Sequence, residues 1–288
     1  MQSLKANNGA MFQAASNFNG IETISEGTFP DEEYFVTNYT NDNTQGPVAS
    51  ISAGAAAIAR VLLPFYGNAN GSNASEWRQT KNRQVELLGD LKEYCSVVNG
   101  YVVQRGSEAE PPADDWEFVK RVRVGVQVDA QVSFGCTNSW DQQMDVVPAA
   151  AGQRISQVFC AAMNLRQGLS GRANSEIPSS RRTAALLLEG AYRGTYLAAI
   201  RHGAPRLYLT LIGGGVFGND IDTILGVIEK VHLEVACCEK NSRLQEVHVV
   251  LFNEPSGMVG FLHNLRNKGV EVEICGFREE RGTIYRNF

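Results

Sequence analysis

Positive charge is in short supply: 26 Lys and Arg residues stand against 31 Asp and Glu, a formal net charge of −5. The basic residues are scattered rather than striped, so DNA or RNA would meet no electrostatic footprint. The six cysteines, Cys95, Cys136, Cys160, Cys237, Cys238 and Cys275, show no C-x-x-C spacing and sit mostly in apolar patterns, which predicts buried, reduced thiols. His202, His232, His248 and His263 form no metal spacing either, and Ser156 and Cys160 have no histidine nearby to activate them. No metal, no cofactor and no covalent nucleophile are therefore expected. No run approaches about 18 consecutive apolar residues, and residues 1–20 lack a basic stretch followed by an apolar one. This reading predicts no membrane contact and a cytoplasmic or nuclear location. Internal repeats and low-complexity tracts are missing too.

What is present is enough apolar sequence, 43%, to bury a core. A single domain over residues 1–288 is expected, with a divergent central insertion around residues 64–180. Its clearest rhythm lies in the C-terminal third. Residues 206–212 read as a buried strand, and Asn219 or Asp220 caps a helix that places Ile221, Ile224, Leu225, Ile228 and His232 on one face. Residues 246–252 read as the next strand, residues 253–257 as a turn, residues 258–267 as a helix stopped by Gly269, and residues 270–275 as a third strand. Such alternation predicts an α/β fold with a mixed, largely parallel sheet and helices on both faces. In the middle, residues 78–98 read as helix, residues 99–104 and 122–133 as strands, and residues 108–115, 134–152 and 166–181 as loops.

The most informative stretch follows the strand at 206–212, where Gly213, Gly214, Gly215, Val216, Phe217, Gly218 and Asn219 lead into a helix start. Glycines admit close backbone approach and positive φ, so successive amides can turn into one nest at a positively polarised helix N-terminus. A phosphate suits that geometry without a lysine. No Lys-Ser/Thr pair follows, which removes a P-loop. Gly213, Gly215 and Gly218 do satisfy G-x-G-x-x-G. The acidic partner expected about 20 residues on is missing, since the next strand ends only near Asn253 and Glu254.

Gly215-Val216-Phe217-Gly218 after an apolar strand resembles the second phosphate loop of macrodomains, the ADP-ribose-binding α/β modules. Ala191-Tyr192 and the residues to Ile200 resemble the helix preceding that loop, and residues 247–253 the strand after it. Gln13-Ala14-Ala15-Ser16-Asn17-Phe18-Asn19 stands where that family has Asn-Ala-Ala-Asn, with both polar positions altered. Residues 44–55 stand where its first glycine-rich loop enters a helix, without the glycine run. Together these resemble an atypical branch that includes bacterial effector enzymes removing ADP-ribose from arginine. The likeness is strongest over residues 183–253 and loosest over about 64–180.

The resemblance implies an ADP-ribosyl hydrolase acting on modified protein side chains, arginine among them, with ADP-ribose or an ADP-ribosylated protein as partner. Two alternatives stay open: a non-catalytic ADP-ribose reader, and another dinucleotide-binding enzyme. Gln13, Asn17 and Asn19 are expected at ribose hydroxyls, Thr44, Gln45 and Gly46 beside them, residues 213–219 around the pyrophosphate, and Phe217 against the distal ribose. Glu22 either grips adenine or contributes to chemistry. Cleaving an N-glycosidic bond passes through an oxocarbenium-like state that a carboxylate can stabilise or serve with water and protons. Asp129 is the first candidate, because an aspartate within a strand is disfavoured without a reason, and Asp141 and Asp145 follow. Asp42 reads as a turn residue. Because ligands lie at the carboxyl ends of parallel strands, residues 17–22, 43–46, 129–133 and 213–220 are expected to converge there.

Overall fold

A computed structural model describes the chain except residues 30, 32–33, 35–36, 40–41, 43, 68–75, 107–108, 137–143, 167, 237–241, 252–256, 273–275, 281–282 and 288. Its centre is a five-stranded sheet of β1 (Met11–Ala15), β4 (Gly125–Gln131), β7 (Arg154–Cys160), β8 (Arg206–Thr210) and β9 (Glu246–Val250), in the order β4-β7-β1-β8-β9. β7, β1, β8 and β9 run parallel, and β4 runs antiparallel on the edge beside β7. The chain is thus α/β with a mixed, largely parallel sheet. Smaller pairs are β2 (Cys95–Val98) with β3 (Tyr101–Gln104), β5 (Phe134–Cys136) with β6 (Met144–Val146), and β10 (Gly276–Glu280) with β11 (Thr283–Asn287).

Alternation along the strands sends side chains to opposite faces. Met11, Val158, Cys160, Leu207 and Leu209 pack in one cluster with Leu188, Ala191, Tyr192 and Tyr196 of a 22-residue helix, Ser180–Arg201, and with Ile224, Leu225 and Ile228 of the helix Ile221–Val231. On the other face Ala14 and Phe159 meet Ala49 of α1 (Gln45–Ile51). Arg60 of α2 (Gly54–Leu62) lies 3.4 Å over the Phe159 ring, with its guanidinium on Gln127 and Ser50. Burial pushes the Arg60 pKa down to about 10, and neutral partners plus the ring hold it in place.

The first half of Ser180–Arg201 carries a second cluster. Ala184, Leu186 and Leu187 meet Phe118 and Val119 of α3 (Asp115–Val119), Cys95 and Val102 of the β2–β3 pair, and Leu87, Leu88 and Leu91. The remaining helices are α4 (Gly168–Ser175), α5, which is Ser180–Arg201, α6, which is Ile221–Val231, and α7 (Met258–Asn267). α5 holds two glycines four residues apart for a packing reason. A Cβ at Gly190 would lie 2.4 Å from the Val122 Cβ, and one at Gly194 would lie 2.9 Å from Val124. The side chains of Val122 and Val124, just before β4, therefore pack directly against the helix.

Several expectations need correction. Residues 78–98 are not helical: a bridge joins Thr80 to Arg83, a 3-10 turn spans Gly89–Leu91, and β2 follows. Residues 166–181 hold α4 and the start of α5, and residues 134–152 hold β5 and β6. After α7, residues 270–272 form no strand and residues 273–275 lie outside the described part. The reason is common to the first two. Short elements braced by side chains, such as Gln79 donating to the carbonyls of Asn19 and Arg60, carry no hydrophobic period to read.

Candidate functional site

β1 sits where the sheet changes direction, with β7 and β4 added on one side and β8 and β9 on the other. Crevices at such points, beyond the carboxyl ends of the strands, are where α/β folds bind ligands. β8 pairs with β1 only at Met11 and Phe12 and then diverges. Side-chain amides fill the resulting split. Gln45 donates to the Gln13 carbonyl at 3.0 Å and accepts from the Ala15 amide at 2.7 Å, standing in for the missing strand. Gln13 accepts from the Thr210 amide at 3.1 Å and donates to Thr195 at 3.1 Å. Gln13 is therefore a buried brace between β1, β8 and α5, and not a free partner for ribose.

Beyond β8 the glycine loop is clasped at both ends. Tyr192 of α5 donates to the Thr210 carbonyl at 2.7 Å and accepts from the Ile212 amide at 3.3 Å. Asn219 donates its side-chain amide to Met163 and Gly213 carbonyls, and its backbone amide returns to Gly213. Asn219 thus closes the loop from inside. Asp220 caps α6 by accepting from the Thr223 amide. Gly213 and Gly218 have φ of 75° and 68°, and a Cβ at Gly213 would sit 2.4 Å from the Ala162 Cβ. Gly214 faces Ile221 and Ile224. Gly215 differs, because a Cβ there meets nothing within 4 Å.

Among the described residues, the amides of Gly213, Gly215, Val216 and Phe217 donate to no protein acceptor, whereas Gly214, Gly218 and Asn219 close turns within the loop. Three consecutive donors without a protein partner, Gly215 to Phe217, thus precede the Asp220 cap of α6, and unpaired loop amides before a helix N-terminus are a feature that anion sites use. The Arg166 stem crosses Gly218, its Cβ 2.9 Å from where a Gly218 side chain would begin. Phe217 is half-buried, its ring centroid 5.9 Å from that of Tyr101, whose hydroxyl donates to the Thr23 carbonyl at 2.6 Å. Tyr101 therefore ties the loop after β1 to the glycine loop.

The loop after β1 is built mostly from satisfied amides. Asn17 donates to Thr23 at 3.1 Å, and Asn19 donates to Gln84 at 3.0 Å and accepts from the Ile21 amide at 3.1 Å. Both are buried, with Gly100 packed on them so closely that a Cβ would fall 2.5 Å from the Asn17 Cβ. These two asparagines are braces, too. Glu26 extends the loop by accepting from both the amide and the hydroxyl of Ser170 at the start of α4.

Glu22 is the exception. Its Oε2 is buried with no hydrogen-bond partner among the described residues, and its Oε1 lies 3.3 Å from the Thr44 hydroxyl. A Cβ at Gly46 would meet Glu22 Oε2 at 1.8 Å and the Ala15 carbonyl at 2.2 Å, so only glycine lets α1 start here. Burial first, and the Asp42 charge second, raise the Glu22 pKa to about 7 against the opposing Thr44 hydrogen bond. Glu22, Thr44, Gln45 and Gly46 are brought together on one side of the β1–β8 split, and residues 213–219 on the other.

Of the expected catalytic aspartates, Asp129 and Asp145 are not gathered there. Asp129 lies on β4, which runs opposite to its neighbours, with Gln131 paired to Arg154 at the beginning of β7. It stands at the amino ends of the parallel strands, its side chain exposed and paired with Arg154 at 3.1 Å. Its φ of 56° coincides with an irregularity between Gln127 and Ala130, so a left-handed bulge explains the aspartate. Residues 129–133 accordingly do not converge with the other three segments. Asp145 is exposed on β6, and Asp141 lies outside the described residues. Cys160 is buried and its thiol pushed up to about 12, which leaves it unreactive.

Sequence reading missed Tyr192, Tyr101 and Arg166, whereas Asp42 is the expected turn residue, accepting from the Thr44 amide at 2.8 Å. Only Tyr192 had a signal, its place in the helix before the glycine loop. No metal-binding group of His, Cys, Asp or Glu occurs among the described residues, and no helix there is long and apolar enough to cross a membrane. A groove lined by Gly226, Glu229, Lys230 and Lys268 lies towards the far end of α6, away from the crevice. Set against family models and curated proteins, the sequence matches none.

Proposed function

We propose that this chain is a macrodomain-like protein that binds ADP-ribose across the β1–β8 crevice and hydrolyses the N-glycosidic bond joining it to a modified protein side chain, arginine in particular. The observation that carries the reading is the run of unpaired amides at Gly215, Val216 and Phe217 before a capped helix. They supply donors and a positive helix end to a pyrophosphate without any lysine. Arg166 beside Gly218 adds a cation, and the half-buried Phe217 offers a ring edge to the distal ribose. The Glu22 side of the crevice then faces the bond to be broken. The reader alternative is supported by the position of Asp129 at the opposite end of the sheet. Turnover on an ADP-ribosylated arginine peptide separates the two.

Calorimetric titration tests the binding step. Wild type is expected to bind ADP-ribose in preference to NAD and ATP, and Gly215→Val to weaken it by about tenfold or more, since the new side chain stands in open space over the amides. An unchanged melting temperature should accompany the loss. Equal affinity in the variant, or a preference for NAD, would remove the reading.

A further inference from the structure

Resting on the proposed hydrolase reading, the geometry points to Glu22, Thr44 and Asp42 as the proton-handling unit of the site, with a proton held on Glu22 and linked through the Thr44 hydroxyl to Asp42. The Thr44 hydroxyl lies 2.6 Å from Asp42 Oδ1 and 3.3 Å from Glu22 Oε1. It owns one proton. A threonine hydroxyl cannot donate to two carboxylates at once, so both contacts become hydrogen bonds only when one carboxyl is the donor. The shorter contact takes the Thr44 proton to Asp42. Glu22 is then the acid, donating to Thr44.

The surroundings of Glu22 agree. Oε2 is buried without a partner among the described residues, and it and the Ala15 carbonyl oxygen both lie close to where a Gly46 Cβ would stand, at 1.8 and 2.2 Å from that point. A charged carboxylate beside an unpaired carbonyl, sealed by Gly46, is an unfavourable neighbour, and a neutral acid is not. The other groups facing it are phenols: Tyr39, whose oxygen accepts from the Glu22 amide at 2.8 Å, and Tyr34, whose oxygen accepts from the Ile24 amide at 3.0 Å, with Tyr101 on the hairpin side. Arg60 reaches Glu22 only through Tyr39. Among the described residues, Asp42 is the carboxylate against it. A buried acid linked through one hydroxyl to a second carboxyl places an acid and a base in one site.

The parity of β1 sets the direction of this unit. Ser16 donates to Cys160, so even residues of β1 face β7 and the Ala15 carbonyl faces the β8 side. Glu22, closed against that carbonyl, therefore lies on the crevice side. In the hydrolysis, the oxygen of water bonds to the anomeric carbon of ribose as the carbon–nitrogen bond breaks and its electron pair leaves with the guanidine nitrogen. Asp42 takes the proton of the water, Glu22 gives its own to the leaving nitrogen, and a shift across Thr44 returns a proton from Asp42 to Glu22. Atoms and charge balance, and no further reactant is required.

The test uses the whole chain, an ADP-ribosylated arginine peptide and free ADP-ribose. Glu22→Gln is expected to lower turnover about 100-fold or more while ADP-ribose affinity changes less than about threefold, and to remove the pH dependence near neutrality. Thr44→Val should lower turnover and Thr44→Ser restore it, a rescue that a purely structural role would not give. An infrared carboxylic-acid band present at pH 6 in wild type and missing in Glu22→Gln would locate the proton without reference to activity. Wild-type turnover with an unaffected Glu22→Gln variant overturns the proton unit and leaves the hydrolase reading standing. A wild type that binds ADP-ribose and never turns over overturns both and favours the reader.

Discussion

At the scale of the residue, Glu22 joins sequence to function most tightly. Its carboxyl is raised from 4.5 to about 7 in the folded chain by burial, with Asp42 adding to the effect. Below about pH 4.5 the folded and unfolded chains both hold the proton, and between there and about pH 7 only the folded chain keeps it. Stability from this group is thus full at low pH and is lost as pH rises through the folded value, by up to about 3 kcal/mol. Glu22→Gln should flatten that fall, so that urea midpoints at pH 5 and pH 8 differ less than in wild type. An identical pH dependence in the two proteins would show that the carboxyl is not buried as described. Glu22 was visible in the sequence only as a residue with two open roles. What fixes it is Gly46 and Ala15, which no local pattern couples to it. Asp129 was misread for the same reason: an aspartate in a strand signalled something special, and the special feature is a left-handed bulge.

At the scale of the element, α5 does the most. Tyr192 holds the beginning of the glycine loop, Thr195 holds Gln13, and Gly190 and Gly194 admit the Val122 and Val124 side chains just before β4. Glycine inside a helix costs about 1 kcal/mol relative to alanine, so Gly190→Ala would stabilise an isolated helix. Here it should destabilise the protein by about 1–3 kcal/mol, because the methyl would lie 2.4 Å from the Val122 Cβ. Chemical denaturation measures this, and a gain in stability would contradict the close crossing. Long periodic elements were legible: β8, α6, β9 and α7 fall where their patterns place them, and α5 covers the stretch for which the resemblance implied a helix. β3 also falls within the strand read at residues 99–104, but α4 and β2 were not legible, because Asn174 of α4 is held by the Gln104 amide and the Val102 carbonyl, and Glu26 holds Ser170. Contacts between segments far apart in the chain define those pieces, whereas their residues alone read as loop for α4 and as helix for β2.

At the scale of the molecule, a parallel core with one antiparallel edge creates a single split at the change of strand order, and the side chains meeting there come from β1, α1, the β2–β3 pair and the loop after β8. The sequence made the α/β class and the glycine loop readable, since both arise from local period and local glycine. It did not make readable which acidic residues reach the split, because the direction of β4 decides that for Asp129 and the turn before α1 decides it for Asp42. The central claim is that the unpaired amides after β8 receive a pyrophosphate. Amide-resolved nuclear magnetic resonance during addition of ADP-ribose tests it most directly. The Gly213, Gly215, Val216 and Phe217 amides should move together and saturably, with Gly214, already donating to Leu211, moving less. Unmoved loop amides under saturating ADP-ribose would contradict the account.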